Sequence, residues 1–450
     1  MGEAVAEQVY GAPATRSTVQ VRTTAAARVT AVDAEIMAAV AAEQPAMVEL
    51  LTELVEAPTL LGHEAPGQAV MRRAFAGLGL EPFDVTLDPA TLAAHPGAAP
   101  FSWEVAGKAN VLADWPAVAP GGRSLILNGH IDVVSPEPSS LWTGDPFAAR
   151  RDGDWLHGRG AGDMKAGLAA MVGAVAGLRR LGLGPRGRVQ LQSVVEEECT
   201  GNGALACVLA GHTADAAILT EPTSGAVWNA QVGVLWFQVR VLGAPAHAGD
   251  APDGANAIEA SYAVIAALRD LEAELNAARP PLYAAYPHPI NLNVGQIRGG
   301  DWPSTVAGEC LTHFRLATFP GQPVADLMAR VEQTVAAVGA SDPALARHRL
   351  EVLYDGFQCE GYELAPDAPL VTGLLDAAAR ATGRRPPVYA STATTDARSF
   401  HLYGDTPAVC FGPHSEHEHG VDERVHLPSL TTTAQAIALF IADWCGLAPA

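Results

Sequence analysis

The chain has 450 residues, of which 49% are apolar and 17% are charged, and its formal net charge is −21. This composition excludes a disordered chain, and the length predicts two or three domains with ample sequence for a core. The acidic balance argues against a nucleic-acid partner, because phosphate binding requires clustered Lys and Arg.

The cysteines and the apolar segments bear on the compartment. Six cysteines are scattered without a Cys-x-x-Cys pair, which predicts reduced thiols and a cytoplasmic protein. No run of about eighteen apolar residues is free of charge, so we expect no transmembrane helix and no membrane partner. Residues 1–30 have no apolar core of a secretory signal, and they are interpreted as an N-terminal extension.

Helices and strands alternate through the first half of the chain. Apolar spacing and Gly/Pro punctuation predict helices at 32–56, at 68–80 and from near Met164, strands at 111–115, 124–128 and 188–195, and loops at 84–108 and 154–162. Such alternation predicts an α/β fold with a central, mostly parallel sheet.

The pattern changes near residue 231. The predicted elements are a strand at 234–241, a helix at 255–278, strands at 290–297 and 309–316, a helix at 324–338 and a strand at 349–353. This β-α-β-β-α-β order is that of a ferredoxin-like α/β domain. We therefore expect a discontinuous catalytic domain, residues 31–230 and 357–450, with an inserted domain at residues 231–356.

Acidic and histidine side chains fall at or just beyond strand ends, where open α/β sheets bind ligands. They are His130, Asp163, the glutamates at 196–198, Glu221 and His419. Consecutive glutamates repel one another unless a cation or solvent relieves them. Two histidines with several carboxylates suit zinc, with manganese or cobalt as alternatives, and one carboxylate can bridge two ions. Taken singly, each signal also fits a satisfied strand-end histidine or a solvated acidic loop.

Asp132 follows His130 by two residues, so an extended chain places both side chains on the same side. The carboxylate is then placed to orient the imidazole, as a metal-binding histidine usually requires.

Two other chemistries have weaker support. The segment Gly201-Asn-Gly-Ala-Leu-Ala206 satisfies a loose dinucleotide-binding pattern, but the glutamates before it would repel a pyrophosphate. Cys199 is a candidate nucleophile, but adjacent carboxylates would raise its pKa. The sequence has neither His-Glu-x-x-His nor Gly-x-Ser-x-Gly.

Six segments in this order resemble the M20 metallopeptidase/deacylase family, which includes acetylornithine deacetylases, succinyl-diaminopimelate desuccinylases, aminoacylases and carboxypeptidase G-type enzymes. The segments are Gly129-His-Ile-Asp-Val-Val134, Gly158-Arg-Gly-Ala-Gly-Asp-Met-Lys-Ala-Gly167, Glu196-Glu-Glu-Cys-Thr-Gly-Asn-Gly203, Glu221-Pro-Thr223, Ala246-His-Ala-Gly249 and His419-Gly-Val-Asp-Glu423. The resemblance spans roughly residues 33–445. Each segment alone is weakly diagnostic, whereas six in order are highly specific.

The resemblance implies a role for each matched residue. Asp163 would bridge two zinc ions, Glu198 and His419 would complete one site, and His130 and Glu221 the other. Asp132 would orient His130. Glu197 would be the general base, a role that suits a carboxylate beside the ions that is not itself a ligand.

The resemblance also implies roles in the inserted domain, which would serve as lid and dimer interface of a homodimer. His247 would stabilise the tetrahedral oxyanion, often from the partner subunit. Recognition of a substrate carboxylate needs an arginine, and Arg398 and Arg315 lie in matching segments. The segment of Arg315 departs from the family, because the position of the family aspartate is His313 here.

The sequence thus predicts a cytoplasmic di-zinc amidohydrolase that deacylates an N-acyl amino acid or a similar small amide, most like acetylornithine deacetylase. A dipeptidase or carboxypeptidase of the same family is an alternative, since it would use the same metals. A non-catalytic metal-binding or peptide-binding member is disfavoured, because Glu197 is present.

Overall fold

A computed structural model describes residues 29–450. Nearly all of the predicted N-terminal extension therefore lies outside the described residues. Two large hydrophobic cores organise the described chain, one built around the central sheet and one in the inserted domain.

The strands, numbered in chain order, are β1 (Pro82–Thr86), β2 (Ala109–Trp115), β3 (Leu125–His130), β4 (Arg150–Asp152), β5 (Trp155–His157), β6 (Leu183–Pro185), β7 (Val189–Val194), β8 (Ala217–Leu219), β9 (Val227–Gln231), β10 (Gly233–Leu242), β11 (Asn293–Gly299), β12 (Glu309–Thr318), β13 (Arg349–Leu353), β14 (Gln358–Cys359), β15 (Tyr362–Glu363), β16 (Val388–Ser391), β17 (Ala408–Cys410), β18 (Ser415–Glu416), β19 (Arg424–His426) and β20 (Leu447–Pro449). The α-helices are α1 (Ala31–Ala41), α2 (Gln44–Glu56), α3 (Ala65–Gly77), α4 (Pro89–Ala93), α5 (Ala166–Arg180), α6 (Asn202–Leu209), α7 (Ala257–Ala277), α8 (Val324–Ser341), α9 (Pro369–Thr382), α10 (Ala397–Tyr403) and α11 (Leu427–Trp444).

In the described part of the chain, the central sheet has nine strands; eight follow the order β1-β2-β7-β3-β8-β17-β9-β15, and the ninth, β16, also pairs with β9. Its middle strands β7, β3, β8 and β17 are parallel, as the alternation of elements predicts. Antiparallel strands flank this parallel centre. Strands from both sides of the insertion contribute to the sheet, so the discontinuous α/β catalytic domain is confirmed.

Helices cover both faces of the central sheet. On β3, Leu125 and Leu127 face the core formed with α5 and α11, while Ile126 faces α6 and α10. This alternation is what buries a parallel strand on both sides. The helical segment Ala161–Arg180, which includes α5, is long and apolar enough to cross a membrane, but 83% of its apolar stretch is buried inside the protein. It is a core helix of this fold.

The inserted domain, which we call the lid, has the predicted ferredoxin-like topology. Strands β11, β12, β10 and β13 form an antiparallel sheet in that order, and helices α7 and α8 pack on one of its faces. These four strands lie between Gly233 and Leu353, within the segment 231–356 that we propose as the lid. The short strand β14 also pairs with β10, and it follows that segment.

Two predictions for the N-terminal part were wrong. The single helix predicted at 32–56 is two helices, because Pro45 lies in the first turn of α2 and cannot continue a preceding helix. The loop predicted at 84–108 contains the end of β1 and all of α4, since residues from Pro82 pair with β2 at the edge of the sheet. Only the remainder of that segment is irregular.

Candidate metal centre and active site

Parallel strands bring the predicted acidic and histidine residues together. His130 is the last residue of β3, the glutamates 196–198 follow β7, and Glu221 follows β8. These three strands are neighbours and run in the same direction. Their carboxyl ends therefore meet at one edge of the sheet, where open α/β sheets place ligand sites.

Among residues 29–450, two groups of three side chains could each hold a metal ion, and both include Asp163. In one group, His130 Nε2 lies 3.2 Å from Asp163 Oδ1 and 3.9 Å from Glu221 Oε2. In the other, His419 Nε2 lies 3.4 Å from Asp163 Oδ2 and 3.0 Å from Glu198 Oε2. Within each group the ligand atoms all lie within 4.8 Å of one another. The structure thus assembles the five predicted ligands around a shared carboxylate.

A buried carboxylate, Glu423, fixes the loop that carries Asp163. Glu423 Oε1 accepts hydrogen bonds from the backbone N–H groups of Gly162 (2.8 Å) and Asp163 (2.9 Å). Its Oε2 accepts from Gly160 N (2.9 Å) and from Arg159 Nη1 (2.6 Å). Arg159 and Glu423 are 2% and 0% exposed, so this ion pair is shielded from water. Glu423 lies in the segment His419-Gly-Val-Asp-Glu423, but the sequence predicts no role for it.

We expect Glu423→Gln to destabilise the protein by about 3–5 kcal/mol, because it removes one partner of a buried ion pair. A neutral amide also cannot accept all four hydrogen bonds, so Asp163 loosens and both metal sites weaken. Chemical unfolding and metal content after dialysis measure the two effects.

The control is Glu416→Gln, which breaks a partly exposed pair with Arg424 and should cost at most about 1 kcal/mol. Wild-type metal retention in Glu423→Gln would show that Glu423 does not hold the Asp163 loop.

Asp132 holds the backbone of Glu197 and Glu198. Its Oδ1 accepts from Glu197 N (3.2 Å) and its Oδ2 from Glu198 N (3.0 Å). His130 Nδ1 is 2.9 Å from the backbone oxygen of Asp132 but 3.8 Å from its carboxylate. The backbone oxygen is thus the nearer partner of the imidazole, and it leaves Nε2 to face the cluster. Orientation of His130 by the carboxylate itself stays a prediction.

Glu197 lies beside the cluster, with Oε2 3.9 Å from His130 Nε2. Its side chain is buried, and Oε1 has no hydrogen-bond partner among residues 29–450. Oε1 of the neighbouring Glu198 is likewise buried without a partner in this part of the chain. Buried carboxylate oxygens without donors are costly unless a cation or a bound molecule meets them.

The crowded carboxylates perturb one another. Burial, with the charges of Asp396, Glu221 and Glu198, raises the pKa of Glu197 well above its ordinary value, although His130 opposes the shift. Burial likewise raises the pKa of Glu221 well above its ordinary value. The charge of Glu198 is the main cause that raises the pKa of His419 to about 11. Divalent cations relieve such crowding, so the donor set and the electrostatics fit two metal ions.

A second buried network supports the loop after β7. Lys108 Nζ lies between Glu64 Oε1 (2.9 Å) and Glu196 Oε1 (2.8 Å), and Trp103 Nε1 also donates to Glu196 Oε1 (2.8 Å). Glu196 has φ 65°, an unusual value for a residue other than glycine. The pairing fixes this turn next to Glu197. Sequence reasoning missed Lys108, because one lysine in an irregular segment carries no recognisable pattern.

The other predicted site residues do not belong to the two groups of candidate ligands. His247 is an exposed lid residue whose Nδ1 accepts from Gly249 N (3.0 Å), and among residues 29–450 it makes no hydrogen bond or ion pair with the five ligands. Arg398 is 2% exposed and donates to the backbone oxygens of Thr395 (2.7 Å) and Thr200 (2.9 Å). Arg315 is partly buried on β12 and has no hydrogen-bond or ion-pair partner within the described chain. The roles of all three stay predictions.

Asp396 was not predicted as a site residue. It is 1% exposed, and neither carboxylate oxygen has a hydrogen-bond partner among the described residues. Burial raises its pKa to about 6, against the effects of Arg398 and His130. The segment that contains Arg398 was the available signal, because Asp396 lies two residues before it.

Comparisons with known proteins show what the whole chain is similar to. The model of the peptidase family M20/M25/M40 matches residues 126–443. The N-formyl-4-amino-5-aminomethyl-2-methylpyrimidine deformylase of Halalkalibacterium halodurans is 30% identical over 348 residues, covering 72% of this chain and 80% of that protein. The acetylornithine deacetylase of Proteus mirabilis is 27% identical over 411 residues, covering 89% of this chain and 97% of that protein.

Among solved structures, the dipeptidase Dug1p from Saccharomyces cerevisiae superposes with a TM-score of 0.76 at 14% identity. The match covers 92% of this chain and 98% of that one. At this identity the likeness supports the fold, including the inserted domain.

Proposed function

Since the chain belongs to peptidase family M20/M25/M40, we propose that it is a di-zinc amidohydrolase that removes a small acyl group from an N-acyl amino acid or a similar amide. The family, with deformylase and deacetylase relatives, makes it a hydrolase of amide or peptide bonds. The observation that carries the proposal is the pair of three-residue groups that share Asp163, with Glu197 beside them. Deacylation is favoured over dipeptide cleavage because both of these relatives are named for removal of a formyl or acetyl group.

Two ions would be held by the residues of the shared cluster. His130 and Glu221 would hold one ion, and His419 and Glu198 would hold the other. Asp163 would be a ligand of both ions. Zinc suits this mixture of imidazole and carboxylate ligands, with cobalt or manganese as alternatives. When bound, such ions lower the pKa of a water and polarise the scissile carbonyl.

The protein's own side chains would move the protons. Glu197, which is not needed as a ligand, takes the proton from the attacking water and returns it to the leaving amine. Asp132 holds Glu197 in place, because its carboxylate accepts a hydrogen bond from the backbone N–H of Glu197. His247 donates a hydrogen bond to the oxyanion that forms at the carbonyl.

An arginine would recognise the carboxylate of the amino acid. Arg315 suits this role better than Arg398, because its guanidinium has no protein partner among residues 29–450. Each terminal nitrogen of Arg398 already donates to a backbone oxygen, so this residue is better placed to support the loop at 395–398.

The lid offers a surface for a second subunit. Its edge strand β11 is exposed, and the exposed large side chains nearby are Tyr262 (61%), Ile297 (48%) and Trp302 (68%). An exposed edge with apolar side chains is a surface that another chain can cover. This supports the proposed homodimer. A cytoplasmic location is also part of the proposal, and the six buried free cysteines are consistent with it.

We expect the zinc-loaded protein to release amine from one series in a panel of N-formyl, N-acetyl and N-succinyl amino acids and dipeptides. A chelator should abolish the release and added zinc should restore it, because the proposed mechanism depends on metal ions to activate the water and polarise the carbonyl. The Glu197→Gln protein, purified in parallel, reports any contaminating hydrolase. No release from zinc-loaded protein in any series would contradict the proposal, and cleavage of the dipeptides alone would replace it with a dipeptidase.

A further inference from the structure

The lid sheet has one covered face and one open face. On β12, Cys310, Phe314 and Leu316 are buried against α7 and α8. The alternate residues, including His313 and Arg315, therefore point from the other face, since side chains alternate along a strand. We call this second surface the open lid face.

The strand register adds further residues to the open lid face. Gln238 of β10 and Gln296 of β11 are both opposite His313, and Arg298 is opposite Leu311. Directly opposed residues share a face, so Arg298 lies on the open lid face one diagonal step from His313. The proximity is consistent with the effect of Arg298 on His313, whose pKa is lowered by burial and by this arginine.

Three basic side chains on this face have no partner. Arg298, His313 and Arg315 make no hydrogen bond or ion pair with any residue in the range 29–450. Arg240, on the same face, is instead neutralised by Glu309 (2.8 Å) and Glu351 (3.6 Å). An acidic group nearby, Asp355, accepts a hydrogen bond from Ser102 Oγ (2.6 Å). In a chain with a net charge of −21, unpaired basic groups on one surface are suited to binding an anionic ligand.

The open lid face is turned toward the catalytic domain. Trp236 lies on this face opposite Arg315, and its ring packs edge-on against Phe357 at 5.3 Å. The guanidinium of Arg398, from the catalytic domain, lies 5.3 Å from the same Phe357 ring. The loop that carries Ser102 connects this face to Trp103 and so to the Glu196 network. A substrate bound between the metal cluster and the open lid face would therefore have Arg315, His313 and Arg298 on its lid side.

We propose that His313 and Arg298 form a second anion subsite, which takes a carboxylate of the substrate other than the one assigned to Arg315. The substrate is then a doubly anionic N-acyl amino acid. Its second carboxylate belongs either to a dicarboxylic acyl group or to an acidic amino-acid side chain. This inference rests on the proposed function, which supplies the scissile amide and the first carboxylate.

The spacing supports two separate carboxylates. Residues two apart on a strand lie about 6.6–6.8 Å from each other, so Arg315 and His313 are too far apart for one carboxylate to bridge easily. His313, with its lowered pKa, is a neutral donor, and Arg298 supplies the charge. A neutral donor beside an arginine is a suitable pair for one carboxylate.

Two substrate pairs separate the two sources of the second carboxylate. The first pair is N-succinyl-L-leucine and the compound in which its succinyl carboxylate is replaced by an amide. The second pair is N-acetyl-L-glutamate and N-acetyl-L-glutamine. We expect kcat/KM to be at least about tenfold higher for the acid of one pair, because only the acid makes charge-assisted hydrogen bonds at the subsite. The pair that shows the preference identifies the source.

The subsite is tested by a double variant that carries both Arg298→Gln and His313→Gln. It should abolish the acid preference while changing kcat/KM for the neutral member less than about threefold, since neither residue belongs to the proposed metal cluster. Arg240→Gln is the matched control and should keep the preference, because Arg240 already has acidic partners. No acid preference in either pair, or a preference that survives the double change, would overturn the proposal.

A binding measurement separates failure of this subsite from failure of the proposed function. Calorimetry on zinc-loaded protein compares glutarate with its monoamide, which differ only in the second carboxylate. Tighter binding of glutarate that is lost in the double variant supports the subsite even if no amide is cleaved. Equal binding of the two compounds counts against the subsite even if amides are cleaved.

Discussion

Glu197→Gln should retain both metal ions and lose turnover by about 10²–10⁴-fold, the usual contribution of a general base. The change removes the proton acceptor but keeps the size of the side chain. The backbone N–H of residue 197 still donates to Asp132, so the local fold should persist. Metal content by mass spectrometry and kcat on the best substrate of the panel measure the two halves of this expectation.

The neighbouring glutamate provides a matched control. Glu198→Gln replaces a proposed ligand, Oε2 of which lies 3.0 Å from His419 Nε2, so it should lose metal as well as activity. The two variants differ by one position in sequence and have the same chemistry. Substantial turnover by Glu197→Gln would remove Glu197 as the base, and equal metal loss in both variants would make it a ligand.

His247→Ala should lower kcat by about 10²–10³-fold with unchanged metal content, as expected for loss of one oxyanion donor. The structure supports this role through the tautomer of the ring. Because Nδ1 accepts a hydrogen bond from Gly249 N, the proton of the neutral imidazole lies on Nε2, which is then a donor. His288→Ala, at another lid histidine that pairs with Glu272, is the control and should leave kcat unchanged.

His247 makes no hydrogen bond or ion pair with the cluster within residues 29–450 of its own chain, so the proposed role requires lid closure or a donor from a partner subunit. Co-expression of Glu197→Gln and His247→Ala subunits distinguishes the two routes. If His247 acts across a dimer, random pairing restores about a quarter of the sites, because each mixed dimer has one complete site. If it acts within its own chain, the mixture stays inactive. Unchanged kcat in His247→Ala alone would contradict both routes.

The parts of the fold that the sequence predicts are those that local patterns determine. The placement of His130 and Glu221 at strand ends could be predicted, because a buried parallel strand is recognisable in the sequence as a short apolar run. The lid could be predicted because β10 and β12 alternate cleanly and its helices are long. Strand β1 was missed, since five residues with one buried side chain give little periodicity.

The supporting residues of the site could not be predicted, because their partners are far away in sequence. Glu423 binds a loop about 260 positions earlier, and Lys108 joins Glu64 to Glu196 across three separate segments. No spacing rule links such positions before the sheet is assembled. The break between α1 and α2 is different, since Pro45 is visible in the sequence and should have ended the first helix.

The place where the lid joins the catalytic domain bears on how such a protein could arise. The chain leaves the central sheet after Gln231 and re-enters it at Tyr362, and these two residues are direct partners on antiparallel strands. At the crossing, Gly361 lies so close to Gln231 and Gly233 that a side chain would collide with their backbone. A short turn from Gln231 to Tyr362 would close β9 and β15 into an ordinary hairpin. The lid is therefore an insertion into a hairpin, and an ancestor without it could have had the same sheet and the same proposed metal ligands.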